Sequence, residues 1–374
     1  MLRDISVLLV PPDRFRCFEE EFSFIFLKRT LSKMFGKERL YVGSIPKNTS
    51  YVLMVTSCDV VIPDVTPSIL ESVLKCKYPE DKIFSPSYNS SPAKEQVTQP
   101  PFPYLTLGGF NKAAELIRKT FKGSRVKVKE KKLLKDVLFL KGSLLSKGKD
   151  YSKLLEELEE VEVLKEWYVH KYGDLGFSSP REELLEFIPD KAKLILDVGA
   201  GGGGLGRTLK EKRPWVEIYA VEPNPFFASL CKNIYDSVFI CNFEELELNM
   251  KFDAIIMGDV LEHMYDPWKA LEKAKAFLRK EGSLILSVPN IRHWSIVKEI
   301  MENGFSYTPW GPLSVTHIRF FTKSDILELL YFSGFKVDKL KCDKIPFPPG
   351  EKPFYLNKED GEVWRFLIKA KVLP

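Results

Sequence analysis

The chain has 374 residues, more than a usual single domain holds, so two domains are expected, each able to bury its own core. Hydrophobic residues make up 44% and charged residues 29%, an ordinary soluble balance, and no apolar run approaches the roughly 18 residues of a membrane span, which argues against a membrane-spanning class. The net charge of +5 averages over unlike parts, because residues 122–153 carry +8 and the remainder −3.

That basic stretch sets eleven Lys or Arg against Glu130, Asp136 and Asp150. Such a stretch can meet nucleic acid, an anionic membrane surface or a phosphorylated substrate. It lacks the repeated aromatics that stack single-stranded bases, so no nucleic-acid partner is expected, a solvated face is the first reading, and peripheral contact through it stays open. Cys17, Cys58, Cys76, Cys231, Cys241 and Cys342 are scattered without a C-x-x-C pair, which suggests core thiols and neither a zinc knuckle nor a disulfide framework. Residues 5–10 are too short for a signal peptide and run into Pro11-Pro12, so a cytoplasmic location is expected. Glutamine occurs only at Gln96 and Gln99 while Lys and Glu abound, a bias found in heat-adapted proteins.

In chain order, residues 5–10 read as a strand, 18–35 as a helix and 51–56 as a second strand, the opening of an α/β unit. The second strand continues into Ser57-Cys58-Asp59-Val60-Val61-Ile62-Pro63-Asp64, a helix over 67–76 follows, and Pro101-Phe102-Pro103-Tyr104-Leu105-Thr106-Leu107, Phe110-Asn111 and a strand over 137–141 come later. In outline these residues resemble the centre of an inverting nucleotide-sugar glycosyltransferase of the GT-A kind, where a strand ends in Asp-x-Asp to hold a divalent metal. Asp59 is present, but Val61 stands where the second acid would bind, and a lone carboxylate holds a hard cation poorly. Residues 1–150 are therefore read as a degenerate glycosyltransferase-like α/β domain, a scaffold or substrate-docking piece. The Ser-, Pro- and Gln-rich stretch 85–103 reads as a long mobile loop or lid.

Residues 151–172 place Leu154, Leu155, Leu158, Val161, Leu164, Trp167 and Tyr168 at helical spacing among glutamates, which predicts a connecting helix over 151–175 after a boundary near Gly148-Lys149-Asp150. The chain then reaches Leu194-Ile195-Leu196-Asp197-Val198-Gly199-Ala200-Gly201-Gly202-Gly203-Gly204-Leu205-Gly206, a buried strand, a tight turn and the start of a helix. The glycines let backbone approach a ligand where any Cβ would collide. Gly201, Gly203 and Gly206 spell the dinucleotide fingerprint G-x-G-x-x-G, with Glu222 about 20 residues on, where an acid can take ribose hydroxyls. The same residues spell Asp-x-Gly-x-Gly-x-Gly from Asp197 to Gly203. Further strands read over 218–222, 238–241 and 252–257, the last running into Asp259-Val260-Leu261-Glu262-His263.

From about residue 164 to 372 the chain resembles the class I S-adenosylmethionine-dependent methyltransferases, especially the small-molecule group whose fourth strand ends in an Asp-Val-Leu-Glu-His-like run. The resemblance implies a Rossmann-like seven-stranded sheet with the last strand antiparallel, over 176–374, with a fifth strand at 283–288, a helix at 323–332 and a final pair at 335–341 and 363–371 joined through a rigid turn at 346–350. It implies S-adenosyl-L-methionine as cofactor. Asp197 would order the glycine turn and attract the ammonium group; Gly199, Ala200, Gly201 and Gly203 would lie against the methionine and ribose; Glu222, followed by Pro223, would take both ribose hydroxyls. Asn242 and Phe243 would meet the adenine ahead of a helix over 244–248, and Asp259 and Val260 would close over the methionine. Similar enzymes place an aromatic over the cofactor from a segment such as Tyr168, His170 and Tyr172 before the loop 173–179; as a histidine, His170 reads by default as an exposed helix end.

Methyl transfer needs orientation, and a base when the acceptor is a hydroxyl. His263, His293 and His317 all follow the fourth strand; His263 is the first choice as base and His317 the second. Asp259-x-x-Glu262-His263 also resembles the Glu-x-x-Glu-His with which some 2′-O-methyltransferases and quinone-ring O-methyltransferases hold a divalent ion, and His317 could complete it. Because the first acid here is the shorter Asp, no metal is assigned. The expected function is O-methylation of a small-molecule or glycan-type acceptor; the alternatives are a non-catalytic cofactor-binding scaffold or regulatory protein and a nicotinamide enzyme.

Overall fold

The computed structural model describes residues 4–46, 49–75, 82–89, 91, 96–100, 105–129, 133–146, 151–171, 177–347 and 358–373. The proposed boundary at residues 148–150, Cys76, Tyr172, residues 173–176, residues 101–104 and the end of the turn at 346–350 lie outside them. The chain divides into two compact units, Met1–Leu175 with Thr308–Gly311, and Gly176–Tyr307 with Pro312–Pro374.

The first unit is built on a mixed sheet. Its strands are β1 (Ile5–Leu9), β2 (Leu40–Val42), β3 (Tyr51–Val55), β4 (Val60–Val61), β5 (Phe84–Tyr88), β6 (Arg125–Lys129), β7 (Val137–Lys141) and β8 (Glu160–Lys171), in the order β2-β1-β3-β7-β5-β8-β4 with β6 also on β8. β1 pairs in parallel with β2 and β3, and the antiparallel β7 stands between β3 and β5. Helices Phe18–Phe35, Thr66–Leu74 and Leu107–Thr120 pack on it.

Two expectations fail in this unit. The connecting helix is a short helical turn, Tyr151–Glu157, followed by the twelve-residue strand β8. Residues 160–163 alternate Glu-Val-Glu-Val, and Trp167, Tyr168 and Val169 are β-formers, so flanking by β5 on one side and β6 on the other overrides the helical spacing of the leucines. His170 is accordingly not an exposed helix end: it lies at the end of β8, where burial pushes its pKa down to about 4. The loop expected over 85–103 begins as the fully buried β5, with Pro86 at a register shift and Ser87 Oγ donating to the Trp167 carbonyl at 3.2 Å.

The basic stretch is partly spent within this sheet. β6 lies against β8, where Lys127 reaches Glu160 at 2.8 Å, Arg125 approaches Glu162 at 3.6 Å, and Lys82 also pairs with Glu162. Asp59, the acid singled out after the second strand, shares the Lys171 ammonium with Asp136, at 3.0 and 3.1 Å.

The second unit is a seven-stranded sheet of β9 (Leu194–Val198), β10 (Glu217–Val221), β11 (Ser237–Phe239), β12 (Phe252–Gly258), β13 (Leu278–Pro289), β14 (Phe335–Lys344) and β15 (Val363–Val372), ordered β11-β10-β9-β12-β13-β15-β14. Strands β9 to β13 pair in parallel, and β15 runs antiparallel to both its neighbours, as expected. β9 and β12 are covered on both faces: Leu196, Val198, Ile255 and Met257 enter one core layer, Ile195, Ala254 and Ile256 the other. This is the α/β Rossmann-like methyltransferase fold. β9 has β10 on one side and β12 on the other, so the order reverses at its carboxyl end, the crevice where such sheets bind ligands. The helix expected over 244–248 is a single 3₁₀ turn, Phe243–Glu245.

Candidate active site

At the end of β9 the chain turns through Gly199, Gly201 and Gly203, all with positive φ, into the helix Gly204–Lys212. At Gly201 a Cβ would collide with the Phe177 carbonyl, which accepts the N–H of Gly202 at 2.7 Å. The turn therefore needs glycine for its own packing as well as for close approach to a ligand. Ala200 is buried beside it, and Val260 covers Gly199 so closely that a Cβ there would stand 2.7 Å from a Val260 methyl.

Glu222, at the end of β10, ties this turn to its own strand. One oxygen accepts from the Gly201 N–H at 2.8 Å and the other from the Asn224 N–H at 2.9 Å. A carboxylate oxygen accepts more than one bond, so the group can take ribose hydroxyls while it holds the turn. Asp197 faces inward at 3% exposure and accepts the Tyr235 hydroxyl proton at 2.6 Å; that hydroxyl in turn accepts the Gly206 N–H at 3.1 Å. Burial, opposed by the Tyr235 bond and the charge of Arg181, pushes the Asp197 pKa up to about 7. These contacts describe the turn-ordering half of the role expected for Asp197. Tyr235 was missed: its hydroxyl needs the space that a side chain at Gly206 would fill, and nothing in the spacing marks it.

Around the rest of the crevice, Pro223 is exposed. Asn242 is exposed as well, with its amide 3.3 Å from Glu245. Phe243 is 3% exposed and packs edge-on to Phe277 in the core, so it supports this wall from behind. Asp259 has φ 56°, a strained value for a non-glycine residue. Its carboxylate accepts from Ser287 at 2.5 Å and lies 3.0 Å from Arg181 and 3.8 Å from Arg365. Burial would raise its pKa, yet those two guanidinium groups hold it below the usual carboxylate range. Arg181 also bonds Glu183 and the Gly258 carbonyl, and Arg365 bonds Glu183 and Asp343. Neither arginine was anticipated. Arg365 leaves one trace in the sequence, a charge set between Trp364 and Phe366.

Beyond Asp259 the chain makes a 3₁₀ turn, Leu261–His263. Glu262 has no exposed surface, and neither of its carboxylate oxygens has a hydrogen-bond partner among the described residues. Burial and the charge of Asp259 push its pKa well above the usual range. Its backbone carbonyl accepts the N–H groups of Ile318 and Arg319, at 2.9 and 3.0 Å, which brings the 317 segment alongside. His263 and His317 pack edge to face with ring centroids 4.7 Å apart. Each Nδ1 lies beside a backbone carbonyl that can accept its N–H, Thr316 at 3.2 Å for His263 and Pro312 at 3.0 Å for His317. Burial and the neighbouring His263 push the His317 pKa down to about 4. A Glu262 oxygen and one nitrogen from each imidazole all lie within 4.8 Å of one another.

One carboxyl and two imidazoles are donor types that a divalent transition metal takes, and a buried carboxyl with no hydrogen-bond partner among the described residues is what such an ion would satisfy. Glu262, His263 and His317 thus fit a divalent ion by donor type and spacing. Asp259 is not part of this set, since Arg181 and Ser287 hold it. The remaining histidine on this side, His293, caps the helix Trp294–Asn303 and bonds Ser295, a structural role.

Residues 171–340 match the family model of a methyltransferase domain. Over 242 residues the chain is 26% identical to a ubiquinone biosynthesis O-methyltransferase of Haemophilus ducreyi, covering 58% of this chain and 100% of that one. The chain is an S-adenosylmethionine-dependent methyltransferase. This methyltransferase is also 29% identical over 189 residues to the human mitochondrial ubiquinone biosynthesis O-methyltransferase, covering 45% of this chain and half of the human one. Among solved structures, a SAM-dependent methyltransferase from Archaeoglobus fulgidus matches at a TM-score of 0.41 and 15% identity, covering 53% of this chain and 94% of the other. S-Adenosyl-L-methionine is the cofactor. No helix among the described residues is long and apolar enough to cross a membrane.

Proposed function

We propose that the methyltransferase acts on a hydroxyl oxygen of a small-molecule acceptor held beside Glu262, His263 and His317. The observation that carries this reading is the buried Glu262 carboxylate, which has no hydrogen-bond partner among the described residues and faces two imidazoles whose Nδ1 atoms are already committed to backbone. The names of the curated relatives, O-methyltransferases at 26% and 29% identity, favour the same acceptor atom. A divalent cation bound there would lower the pKa of an acceptor hydroxyl and orient it.

In the transfer, the acceptor oxygen forms a bond to the methyl carbon as the sulfur–carbon bond breaks, and the hydroxyl proton leaves to His263 or His317 Nε2 or to water. Glu222 and the glycine turn would hold the nucleoside and methionine. Arg181, bonded to Glu183, Ser287 and the Gly258 carbonyl and paired with Asp259, would hold the Asp259 side of the crevice in place. Positioning of the oxygen in line with the sulfonium bond would supply most of the acceleration. The experiment is to strip the protein with a strong chelator and then restore Mg²⁺, Mn²⁺ or Zn²⁺, following bound metal and turnover on phenolic and sugar acceptors. Loss and recovery of both supports the reading, whereas unchanged turnover after complete metal removal leaves only the histidine base.

The glycan-type acceptor rests on the resemblance of residues 1–150 to a GT-A domain. Asp59, between β3 and β4, supports that resemblance; its engagement with Lys171 beside Asp136 counts against a divalent cation there. The first unit is therefore proposed as a docking or scaffold piece that neither hydrolyses nor transfers from nucleotide-sugars supplied with Mn²⁺ or Mg²⁺.

A further inference from the structure

The helix Phe18–Phe35 of the first unit carries two apolar faces where a surface helix needs one. Its inner face is fully used: Ser23, Leu27, Leu31 and Phe35 are each at most 2% exposed. On the outer face Phe18 is 57% and Ile25 53% exposed. Phe18, Phe22 and Phe26 form a row at i, i+4 and i+8 with successive ring centroids 6.4 Å apart. Phe22 and Phe26 are half-buried, and with the exposed Phe18 and Ile25 they make one contiguous apolar strip that calls for a partner, because single exposed apolar residues are ordinary but contiguous ones are not.

The charges on the same face say what the partner is. Glu21 lies in the first turn, Lys28 and Arg29 lie past the middle, Lys33 lies in the last turn, and all four are exposed. Glu21, Ile25 and Arg29 form one i, i+4, i+8 ridge, acid at one end, apolar in the middle and base at the other. Such a ridge is complementary to itself when a second copy runs antiparallel. A two-fold axis near Ile25 brings Glu21 of each helix level with Arg29 of the other, and the two helix dipoles then oppose. Interdigitated i±4 ridges are the commonest way for two helices to pack. Eighteen residues give a contact roughly 27 Å long. An anionic lipid surface fits less well, since the acidic first turn would be pressed against it along with the bases.

We infer that the outer face of helix Phe18–Phe35 is a homodimer interface, in which two copies of this chain pack antiparallel through the aromatic row and the Glu21–Ile25–Arg29 ridge. The full-length protein should sediment at twice the monomer mass at high micromolar concentration and dissociate on dilution. Ile25→Asp should leave it monomeric. Glu21→Arg and Arg29→Glu should each weaken the dimer at low salt, and the double variant, with both charges exchanged, should restore it. Circular dichroism melts establish that each variant is folded; should Ile25→Asp not fold, the charge exchange decides, because both of its residues are exposed. Cofactor binding measured on the same variants should not change, which separates this interface from the transfer site. A monomer at every concentration, a dimer indifferent to all these changes, or a monomer that floats with phosphatidylglycerol vesicles through this helix would overturn the inference.

Discussion

Each unit holds a cluster of carboxylates close to the carboxyl edge of its sheet, and the two are settled in opposite ways. In the first, Asp59 and Asp136 share one ammonium, that of Lys171, so each acid has a cation beside it, although Asp136 Oδ2 makes no hydrogen bond among the described residues and burial with the charge of Asp59 pushes the Asp136 pKa up. In the second, Arg181, Arg365 and Ser287 answer Asp259, while Glu262 three residues on is fully buried with no hydrogen-bond partner among the described residues. A buried polar group without a partner costs about 1–3 kcal/mol, and burial with the charge of Asp259 pushes Glu262 towards its neutral form. On this contrast we propose a structural role for Asp59 and a functional one for Glu262, although the sequence marks both simply as an acid after a strand.

The contrast can be broken most sharply at Glu262. Glu262→Leu should raise the stability of the metal-free protein by about 1–2 kcal/mol, since it removes an unsatisfied buried carboxyl, while it lowers methyl transfer by about 100-fold or more. Chelated thermal melts alongside a turnover assay check both signs; a destabilised variant with intact turnover would reverse the assignment. Lys171→Met should do the opposite. It leaves Asp59 and Asp136 facing each other and should cost about 2 kcal/mol, less than a fully buried pair because the three side chains are 16–20% exposed, without changing methyl transfer. Equilibrium urea unfolding measures that loss.

A smaller, pH-dependent effect is expected at Asp197. Its pKa rises from the usual 3.8 to about 7 in the folded protein, so the folded state binds a proton more tightly than the unfolded one between those values. Asp197 therefore contributes stability that is fully present below about pH 4 and lost as pH rises through about 7. Asp197→Asn should flatten that part of the Tm-versus-pH curve, and identical slopes for the two proteins would show that Asp197 is ionised throughout. The smallest effect should come from Lys127→Gln on β6, which removes an exposed cross-strand pair with Glu160 and should change stability by less than about 1 kcal/mol, as read from urea midpoints.

Legibility in the sequence followed how local each signal was. The glycine turn, Glu222 and the strands of the second unit were readable because hydrophobic runs and turn residues alone decide them. The strand β8 was misread as a helix because its leucines fit a helical period, and the neighbours β5 and β6 that fix its conformation lie at least 30 residues away. Arg181, Tyr235 and Arg365 went unseen for the same reason, since each earns its place through a partner far along the chain. His263 and His317 were read as separate candidate bases and also as members of one possible metal set with Glu262; the Glu262 carbonyl, which holds the 318–319 backbone, brings the two rings together.

The most direct test of the Glu262 site is a titration of the chelator-stripped methyltransferase with Mn²⁺, followed by electron paramagnetic resonance of the free ion, for the natural protein and for Glu262→Gln. Uptake of a single equivalent by the natural protein, abolished in the variant, is the predicted result. No uptake by the natural protein, or equal uptake by both, would contradict it.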